Sequence, residues 1–468
     1  MLKNKIDKWI ENNKSHLIED IISLINIKSV KEPSYGKYPF GTGCGKVLDK
    51  TLAMSEEYGF STKNHQYYCG TAMLKGKTEK EIGIFTHMDV VPEGNDWKYS
   101  PYDAVVENGY IIGRGSSDNK GPAMAALYAV RCLHELGIEL NHSIRIFYGC
   151  DEETGMSDVK YYLDHHQAPS FSIVPDCAFS VCNGEKGILQ MELAGKISDS
   201  NLRKFYGGTV SNMVPDTACA VLVCDNEEQI INLIAEHKSE GIFASCEGEC
   251  LKITAKGVSG HAAFPEGTIN AIQKLAAFLN KHSLVEEDDS KVLHFIEDAF
   301  DDAYGDGLEI AYSDDISGKL THVGSVAEME NGELTIKINI RYPITTNQEN
   351  MISKIHEVGK RYGVYVKSSH NNPPSYVSAD NEAIQAMNDI CNDVLNTDYE
   401  PYVMGGGTYA RKLPRAVGYG PGILNDPSPF GTKRGNGHQP DECVKIRDLT
   451  NAIKIYALAL IQLDEILP

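Results

Sequence analysis

The stretch EIGIFTHMD, residues 81–89, decides the fold. It places a run of apolar residues directly before His87 and Asp89, which predicts a buried strand that ends in polar residues. The stretch SIRIFYGC at 143–150 repeats this pattern. Between the two strands, PAMAALYAVRCLHELG at 122–137 predicts a helix that begins near Pro122 and ends at Gly137. Strands that alternate with helices predict an α/β protein with helices layered around a sheet.

The length of the chain predicts two structural units, because 468 residues exceed what one hydrophobic core usually organises. From about residue 187 to 374 the pattern changes to alternating strands such as ILQMELAGK, LKITAKGV and LTIKINIRY. The helical stretch RDLTNAIKIYALALIQLDEIL closes the chain and is expected to pack on the first domain. We therefore expect an α/β/α domain with a central mixed sheet, formed by residues 1–186 and 375–468 and interrupted by an inserted α+β domain at 187–374.

The charge balance excludes two classes of partner. A formal net charge of -21 opposes binding to a phosphate backbone or to an anionic lipid surface, and no Lys/Arg cluster breaks that pattern. We expect neither a nucleic acid nor a membrane as a partner. The acidic run at 286–289 is interpreted as a solvated face, which is the usual meaning of such a run.

Cysteine usage and the N-terminus indicate a cytoplasmic protein. The 12 cysteines are scattered and show neither CxxC pairs nor the spacing of a structural zinc site, so we expect reduced thiols. The first 30 residues alternate charged and apolar positions at helical spacing and lack the apolar core of a signal peptide. No apolar run reaches the length of a membrane span.

His87 and Asp89 follow the first strand two positions apart, so their side chains are expected to point the same way. A metal-bound histidine commonly donates its other N–H to a carboxylate, which suggests that Asp89 holds the His87 ring. The alternative is an ordinary buried histidine with a satisfied hydrogen bond. The HxD pair by itself favours that alternative.

Asp118 lies in the loop GRGSSDNKGP, just before the predicted helix and with glycines on both sides. One interpretation is a helix N-cap, a position that aspartate favours. The other is a carboxylate that bridges two cations, for which the flanking glycines would permit an unusual backbone path.

Asp151, Glu152 and Glu153 follow the second strand as three adjacent carboxylates. On a solvated loop such a cluster has no functional meaning. Inside a pocket their mutual repulsion would be costly unless cations neutralise it. Beside a metal pair, Glu153 could act as a ligand and Glu152 as a proton shuttle.

Asp176 and His438 are each unremarkable alone, but Asp176 extends a pattern. His87, Asp118, the Glu152–Glu153 pair and Asp176 all fall at strand ends or in the loops that follow, which is the edge where α/β sheets bind ligands. Two histidines with three carboxylates suit zinc, manganese or cobalt. The combined pattern predicts a metal centre.

Several segments in this order resemble the metallopeptidase family of bacterial PepV-type dipeptidases, and the match runs nearly end to end. They are HMDVVPEGNDW, GRGSSDNKGP, DEETG, PDCAF, NGEKG, SGHAAFPEG, GGGTYAR and GHQPDE. Relatives of that family include aminoacylases, succinyl-diaminopimelate desuccinylase and glutamate carboxypeptidases, so the metal motifs identify the superfamily and not the substrate. The NGEKG segment and the long insertion favour the dipeptidase branch.

The resemblance implies a role for each matching position and two divalent metal ions, with zinc favoured and manganese or cobalt left open. The first ion is assigned to His87, Asp118 and Asp176, and the second to Asp118, Glu153 and His438, so that Asp118 bridges them. Asp89 would orient His87, and Glu152 would be the general base. The sequence departs from many relatives at Asn119, where a second acidic residue is common, but the bridging position is intact.

The resemblance also implies that the first domain is catalytic and that the inserted domain is a lid. In the lid, His261 matches a histidine that contacts the developing oxyanion, and Asn212 and Arg341 match substrate-carboxylate contacts. The turn GGGTYAR lacks the lysine of a phosphate loop, so Gly406 and Thr408 are interpreted as lining the substrate and not a nucleotide.

These roles predict a dipeptidase that acts on small peptides with a free C-terminus. Two alternatives stay open: an N-acyl-amino-acid deacylase of the desuccinylase or deacetylase type with the same metal centre, and a catalytically silent relative that binds peptide or metal. The intact Glu152 argues against the silent relative, and the long insertion argues against the deacylase. We expect a monomer, because the inserted domain is large enough to cover the cleft alone.

Overall fold

The computed structural model describes residues 2–198 and 201–468, which form two compact units. Unit 1 comprises Met1–Gly184, Tyr376–Tyr402 and Gly407–Pro468. Unit 2 comprises Glu185–Ser375 and Val403–Gly406. The sequence of unit 2 therefore interrupts that of unit 1.

Up to residue 185 the chain alternates helices with strands. The helices are α1 (Leu2–Ile25), α2 (Thr42–Glu57), α3 (Lys120–Glu135) and α4 (Ser157–His165). The strands are β1 (Ser61–His65), β2 (Cys69–Leu74), β3 (Glu81–His87), β4 (Val105–Glu107), β5 (Tyr110–Ile112), β6 (Ser143–Gly149), β7 (Phe171–Val174), β8 (Cys177–Phe179) and β9 (Val181–Glu185).

The segment from 187 to 376 is richer in strands. Its helices are α5 (Glu227–Glu236), α6 (Ala271–Lys281), α7 (Glu287–Ala299) and α8 (Gln348–Arg361), with a 3₁₀ turn at Lys238–Glu240. Its strands are β10 (Gly187–Lys196), β11 (Leu202–Gly207), β12 (Thr217–Leu222), β13 (Ile242–Glu247), β14 (Cys250–Lys256), β15 (Ser313–Asp314), β16 (Gly318–Lys319), β17 (Thr321–Glu330), β18 (Glu333–Tyr342), β19 (Val364–Asn372) and β20 (Ser375–Tyr376).

The remainder of the chain returns to long helices. These are α9 (Glu382–Leu395) and α10 (Ile446–Ile466), with a 3₁₀ turn at Tyr409–Lys412. The strands are β21 (Tyr402–Met404), β22 (Ala416–Tyr419), β23 (Pro421–Ile423) and β24 (Cys443–Lys445).

Unit 1 is built on a mixed sheet with the strand order β1-β2-β6-β3-β7-β22-β9-β20, and β21 pairs with β9. The inner strands β6, β3, β7 and β22 are mutually parallel, whereas β1, β2 and β9 pair antiparallel with their neighbours. Because parallel strands run in one direction, the carboxyl ends of β3, β6 and β7 meet at one edge of the sheet. In that register His87, at the end of β3, lies opposite Gly149 at the end of β6.

Helices cover the sheet of unit 1. Nearly all of α3 is buried, as expected of a helix whose Ala-rich sequence is apolar on every side. The closing helix α10 packs against α3, α9 and α1. One hydrophobic core joins these helices to the central strands.

Unit 2 is built on an antiparallel sheet with the order β13-β14-β12-β11-β17-β18-β10-β19. Buried and partly exposed residues alternate along most of β10, the period expected when one face of a strand packs on a core. The helix α6 packs against this sheet. Asn270 caps its N-terminus, because its side chain accepts from the backbone N–H groups of Ile272 and Gln273.

The predicted α/β class with a central mixed sheet is confirmed. The helix predicted at 122–137 begins two residues earlier, at Lys120, because Pro122 lies in its first turn, where no backbone donor is needed. It ends before Gly137, whose φ of +67° gives the left-handed conformation of a C-terminal cap.

Within residues 2–198 and 201–468, no helix combines the length and the apolar character needed to cross a membrane. All 12 cysteines are free thiols in the structure, and most of them are buried.

Candidate metal centre

The sheet topology of unit 1 gathers side chains that follow three parallel strands. His87 ends β3, Glu152 and Glu153 follow β6, and Asp176 follows β7. His87 Nε2 lies 3.8 Å from Asp176 Oδ2. The parallel arrangement thus brings together residues that the sequence separates by dozens of positions.

Asp118 lies between two histidines. Its Oδ1 is 3.1 Å from His87 Nε2, and its Oδ2 is 3.1 Å from His438 Nε2. His438 Nε2 is also 3.0 Å from Glu153 Oε2. The two oxygens of one carboxylate therefore face two different imidazoles, which is the arrangement needed for a carboxylate that bridges two ions.

These side chains form two overlapping groups that could each hold an ion. The potential ligand atoms of His87, Glu152 and Asp176 lie within 4.8 Å of one another, and so do those of His87, Asp118 and Glu153. The first group differs from the predicted set, because it contains Glu152 in the place of Asp118. All five predicted ligands, His87, Asp118, Glu153, Asp176 and His438, nevertheless converge.

The electrostatics of the cluster fit divalent cations. Burial raises the pKa of Glu152 and of Asp176 well above the usual carboxyl range, and neighbouring carboxylates add to the increase. Burial and the charge of Asp118 likewise raise the pKa of Glu153. Among the described residues, Glu152 Oε1 and Glu153 Oε1 are buried and have no hydrogen-bond partner. A cation would neutralise this repulsion and engage these oxygens, and imidazole with carboxylate is a donor set that suits zinc, manganese or cobalt.

The neighbouring carboxylates also raise the pKa values of the two histidines. Burial lowers the pKa of His87, but contacts with Asp118 and Asp89 outweigh burial and raise it well above its usual value. The contacts with Asp118 and Glu153 raise the pKa of His438 to about 11. Burial opposes ionisation of Asp118, yet His438 and His87 hold its pKa below the usual range. These shifts favour protonated imidazoles, whose positive charge would offset the carboxylates in the way that bound cations would.

Asp89 makes contacts that differ from the prediction. The closest partner of His87 Nδ1 is the backbone oxygen of Asp89 at 3.0 Å, whereas the carboxylate Oδ1 is 3.5 Å away. The Asp89 carboxylate instead accepts from the backbone N–H groups of Glu152 at 3.2 Å and Glu153 at 3.1 Å. The orientation of His87 therefore comes chiefly from a carbonyl group, which a sequence pattern of side chains cannot indicate.

Two neighbours of the predicted ligands were not predicted. Asn119 donates to the backbone oxygen of Pro175 at 2.7 Å and to Asp176 Oδ1 at 3.1 Å, so it links the loops that carry Asp118 and Asp176. Asp151 is turned to Lys31, with 2.6 Å between Oδ1 and Nζ. The only sequence signal for Asn119 is its departure from the acidic residue of many relatives, and that for Asp151 is its place among the three adjacent carboxylates at 151–153.

Unit 2 holds two of the predicted lid residues side by side. His261 Nε2 lies 3.5 Å from Asn212 Nδ2, and the backbone N–H of Ala262 donates to Asn212 O at 2.8 Å. The backbone N–H of Ala263 donates to His261 Nδ1 at 3.2 Å. Nδ1 is the acceptor in this hydrogen bond, so His261 is held by the backbone of its own loop.

Arg341 is buried in unit 2 at the end of β18. Its Nε donates to Asn339 Oδ1 at 2.8 Å and its Nη1 to the backbone oxygen of Gly405 at 2.9 Å. Arg341 is therefore bonded to the residue directly before Gly406, another predicted substrate contact. Thr408 is buried in unit 1, where its hydroxyl accepts from Ala410 N and caps a 3₁₀ turn.

The chain is similar in sequence or in fold to several known proteins. The model of "Peptidase family M20/M25/M40" matches residues 83–462. The protein YtjP of Bacillus subtilis (strain 168) is 32% identical over 467 residues, which cover 96% of this chain and 97% of the relative. The Beta-Ala-Xaa dipeptidase of Lactobacillus delbrueckii subsp. lactis is 30% identical over 470 residues, with 97% of each chain covered. The solved structure of the dipeptidase Dug1p from Saccharomyces cerevisiae is similar in fold, with a TM-score of 0.59 at 14% identity over 99% of this chain and 98% of that one.

Proposed function

The chain belongs to peptidase family M20/M25/M40, and we propose that it is a metal-dependent dipeptidase that hydrolyses short peptides with a free C-terminus. The observation that carries this proposal is the position of Asp118, 3.1 Å from His87 and 3.1 Å from His438 on opposite carboxylate oxygens. The dipeptidase named among the relatives supports the substrate class.

We propose two divalent ions at this centre. His87, Asp118 and Asp176 would hold one ion, and Asp118, Glu153 and His438 the other. When bound, the ions lower the pKa of a water molecule and polarise the peptide carbonyl. The mixed imidazole and carboxylate donors favour zinc, with manganese and cobalt as the other candidates. Elemental analysis of the purified protein tests the identity and the number of the ions.

Glu152 is proposed as the general base. Its side chain is partly exposed, but burial raises its pKa, and its Oε1 atom is buried without a partner among the described residues. A carboxylate with a raised pKa can take a proton from the attacking water and then give it to the leaving amine. Asp89 supports this role, because its carboxylate holds the backbone of both Glu152 and Glu153.

Unit 2 is proposed to supply the substrate contacts. A ring N–H of His261 would donate to the carbonyl oxygen as negative charge develops there, and a donor of this kind typically contributes about 3 kcal/mol to the transition state. Arg341 and Asn212 would bind the C-terminal carboxylate of the substrate, and Gly406 of unit 2 and Thr408 of unit 1 are proposed as further substrate contacts. A planar guanidinium is suited to a carboxylate, because it donates two parallel hydrogen bonds.

A substrate panel tests the proposed reaction. Metal-loaded protein should cleave dipeptides with a free C-terminus and leave N-acetyl and N-succinyl amino acids intact, and chelator treatment should abolish the activity. Brisk release of acetate or succinate without dipeptide cleavage would overturn the proposal in favour of a deacylase. A cytoplasmic location and a monomeric state stay predictions, and size-exclusion chromatography with light scattering tests the second.

A further inference from the structure

The side chain of Glu442 lies against the loop that carries Asp118, four residues after His438 and fully buried. Its Oε1 accepts from three backbone N–H groups, those of Gly115 at 3.1 Å, Ser117 at 3.0 Å and Asp118 at 3.0 Å. The hydroxyl of Ser117 donates to the same oxygen at 3.0 Å. One carboxylate oxygen thus holds the backbone of the loop up to Asp118 itself.

The other oxygen of Glu442 is paired with a buried cation. Arg114 Nη1 donates to Oε2 at 2.6 Å, and both side chains are almost inaccessible to solvent. The guanidinium lies over the ring of Trp97, 5.1 Å from its centroid, and Nη2 donates to the backbone oxygen of Glu93 at 3.3 Å. Every partner named for the Glu442 carboxylate is therefore a donor, so both of its oxygens act as acceptors.

The backbone of Glu442 is tied to the same loop. Its carbonyl oxygen accepts from the N–H of Gly113 at 2.8 Å and from the hydroxyl of Ser116 at 3.1 Å. Backbone and side chain together engage the loop from residue 113 to Asp118. The short segment 438–442 thus carries one predicted ligand, His438, and the contacts that fix another.

We infer that Glu442 is a positioning residue of the metal centre. It fixes the backbone of Asp118 so that the two carboxylate oxygens face His87 and His438 before any ion binds. This inference rests on the proposed role of Asp118 as the bridging ligand. Residues that orient metal ligands in this way affect affinity by about 10–100-fold when they are replaced, although they do not touch the ion.

Glu442→Gln tests the inference with a side chain of the same size. The amide directs N–H groups at Arg114 or at the backbone donors of the loop, so the loop loses its fixed position. Metal affinity, measured on metal-free protein by competition with a chromophoric chelator, should fall by about 10–100-fold. Any loss of kcat should be largely restored at saturating metal, because all ligands and Glu152 are retained. Unchanged metal affinity, or a lower kcat that excess metal does not restore, would overturn the inference.

Asp464→Asn is the matched control. Asp464 is also a buried carboxylate of unit 1, and it accepts from the backbone N–H groups of Asn141 at 2.8 Å and His142 at 2.6 Å. These residues precede β6, so they lie at the end of the sheet opposite to the metal centre. The control should lose stability and keep its metal affinity. An equal loss of metal affinity in both variants would mean that general destabilisation is responsible, and the inference would fail.

Ser117→Ala provides the test if Glu442→Gln does not fold. It removes only the hydroxyl hydrogen bond to Glu442 Oε1 and should weaken metal binding by about fivefold. Unchanged affinity in this variant overturns the inference. Because the measurement is metal binding and not turnover, the inference about Glu442 and the dipeptidase proposal can fail separately. A wild-type protein that binds two ions but cleaves no dipeptide would contradict the dipeptidase assignment alone.

Discussion

The Oδ2 atom of Asp89 accepts a hydrogen bond from the backbone N–H of Glu153 at 3.1 Å. The Oδ1 atom accepts from the N–H of Glu152 at 3.2 Å, and the backbone oxygen of Asp89 lies 3.0 Å from His87 Nδ1. Asp89 therefore orients His87, a predicted ligand, with its main chain. Its side chain orients Glu153, a second predicted ligand, and Glu152, the proposed base. The two tasks use different atoms, so mutagenesis can separate them.

Asp89→Asn should reduce turnover and leave the ions bound. The amide keeps one acceptor oxygen, but its NH2 group faces a backbone N–H of the Glu152–Glu153 loop and displaces it. We expect kcat to fall by about 10–100-fold. Metal content by elemental analysis should stay near two ions per chain, because the carbonyl contact to His87 is unchanged. If the variant loses its ions but reaches wild-type kcat after they are reloaded, the carboxylate of Asp89 acts through His87 instead.

Glu152→Gln should lower kcat by about 10²–10⁴-fold, because the amide cannot accept and return a proton. Its metal affinity should equal that of wild type if Glu152 is the base and not a ligand. Glu153→Gln is the matched control, since Glu153 Oε2 lies 3.0 Å from His438 Nε2 and is a predicted ligand. That control should lose metal affinity first. Weaker metal binding in Glu152→Gln would instead assign Glu152 to the ion shared by His87 and Asp176.

Metal binding should stabilise the folded protein strongly. The centre buries carboxylates whose pKa values burial raises, so the metal-free state carries an unfavourable repulsion that cations relieve. At a free metal concentration one hundred times Kd, each site should add about 2.7 kcal/mol to the free energy of unfolding. Thermal unfolding with and without a chelator measures this effect. The shift should shrink in His438→Ala, and an equal shift in that variant would locate the stabilising ion elsewhere.

The sequence was sufficient to predict the edge of the sheet at which the ligands meet. The strand before His87 and the strand before Glu152 had the apolar pattern of buried strands, and parallel pairing then brings their ends together. His438 was identified only through the resemblance, because its loop has no periodic pattern. The role of Glu442 was not predictable, since it depends on contacts with a loop 324 residues away at Asp118. Hydrogen bonds made by the backbone cannot be predicted from the pattern of side chains along the sequence. For the same reason the contact of the Asp89 carbonyl with His87 is not predicted.

His65 should make stability depend on pH without involving the metal centre. It is buried, with Nε2 3.0 Å from Thr71 Oγ1 and Nδ1 3.2 Å from His166 Nε2. Burial, aided by His166, lowers the pKa of His65 from 6.5 to about 4. Since the folded-state pKa is the lower one, its stabilising contribution is present above pH 6.5 and is lost as the pH falls from 6.5 towards 4.

His65→Gln removes that titration and should flatten the acid side of the stability profile. Urea denaturation of metal-free protein between pH 4.5 and 8 measures the free energy of unfolding, and metal-free wild type serves as the control. The variant should lose less stability than wild type between about pH 6.5 and 4.5. Parallel profiles for the two proteins would show that His65 is protonated equally in the folded and unfolded states.

Arg341 should determine affinity for a free C-terminal carboxylate. Asn339 and the Gly405 carbonyl fix its guanidinium by two hydrogen bonds, at 2.8 Å and 2.9 Å, so its orientation is set before substrate binds. Arg341→Lys keeps the charge and loses the planar fork, and we expect KM for dipeptides to rise by about 10–100-fold, the equivalent of about 1.5–3 kcal/mol. Asn339→Ala should give a smaller increase in KM, because the guanidinium remains but is less firmly held.

Dipeptide amides lack the carboxylate and provide the control: their kcat/KM should be low in wild type and nearly the same in both variants. A loss for the amides as large as that for the free dipeptides would mean that Arg341 supports the structure of unit 2 and does not bind the carboxylate.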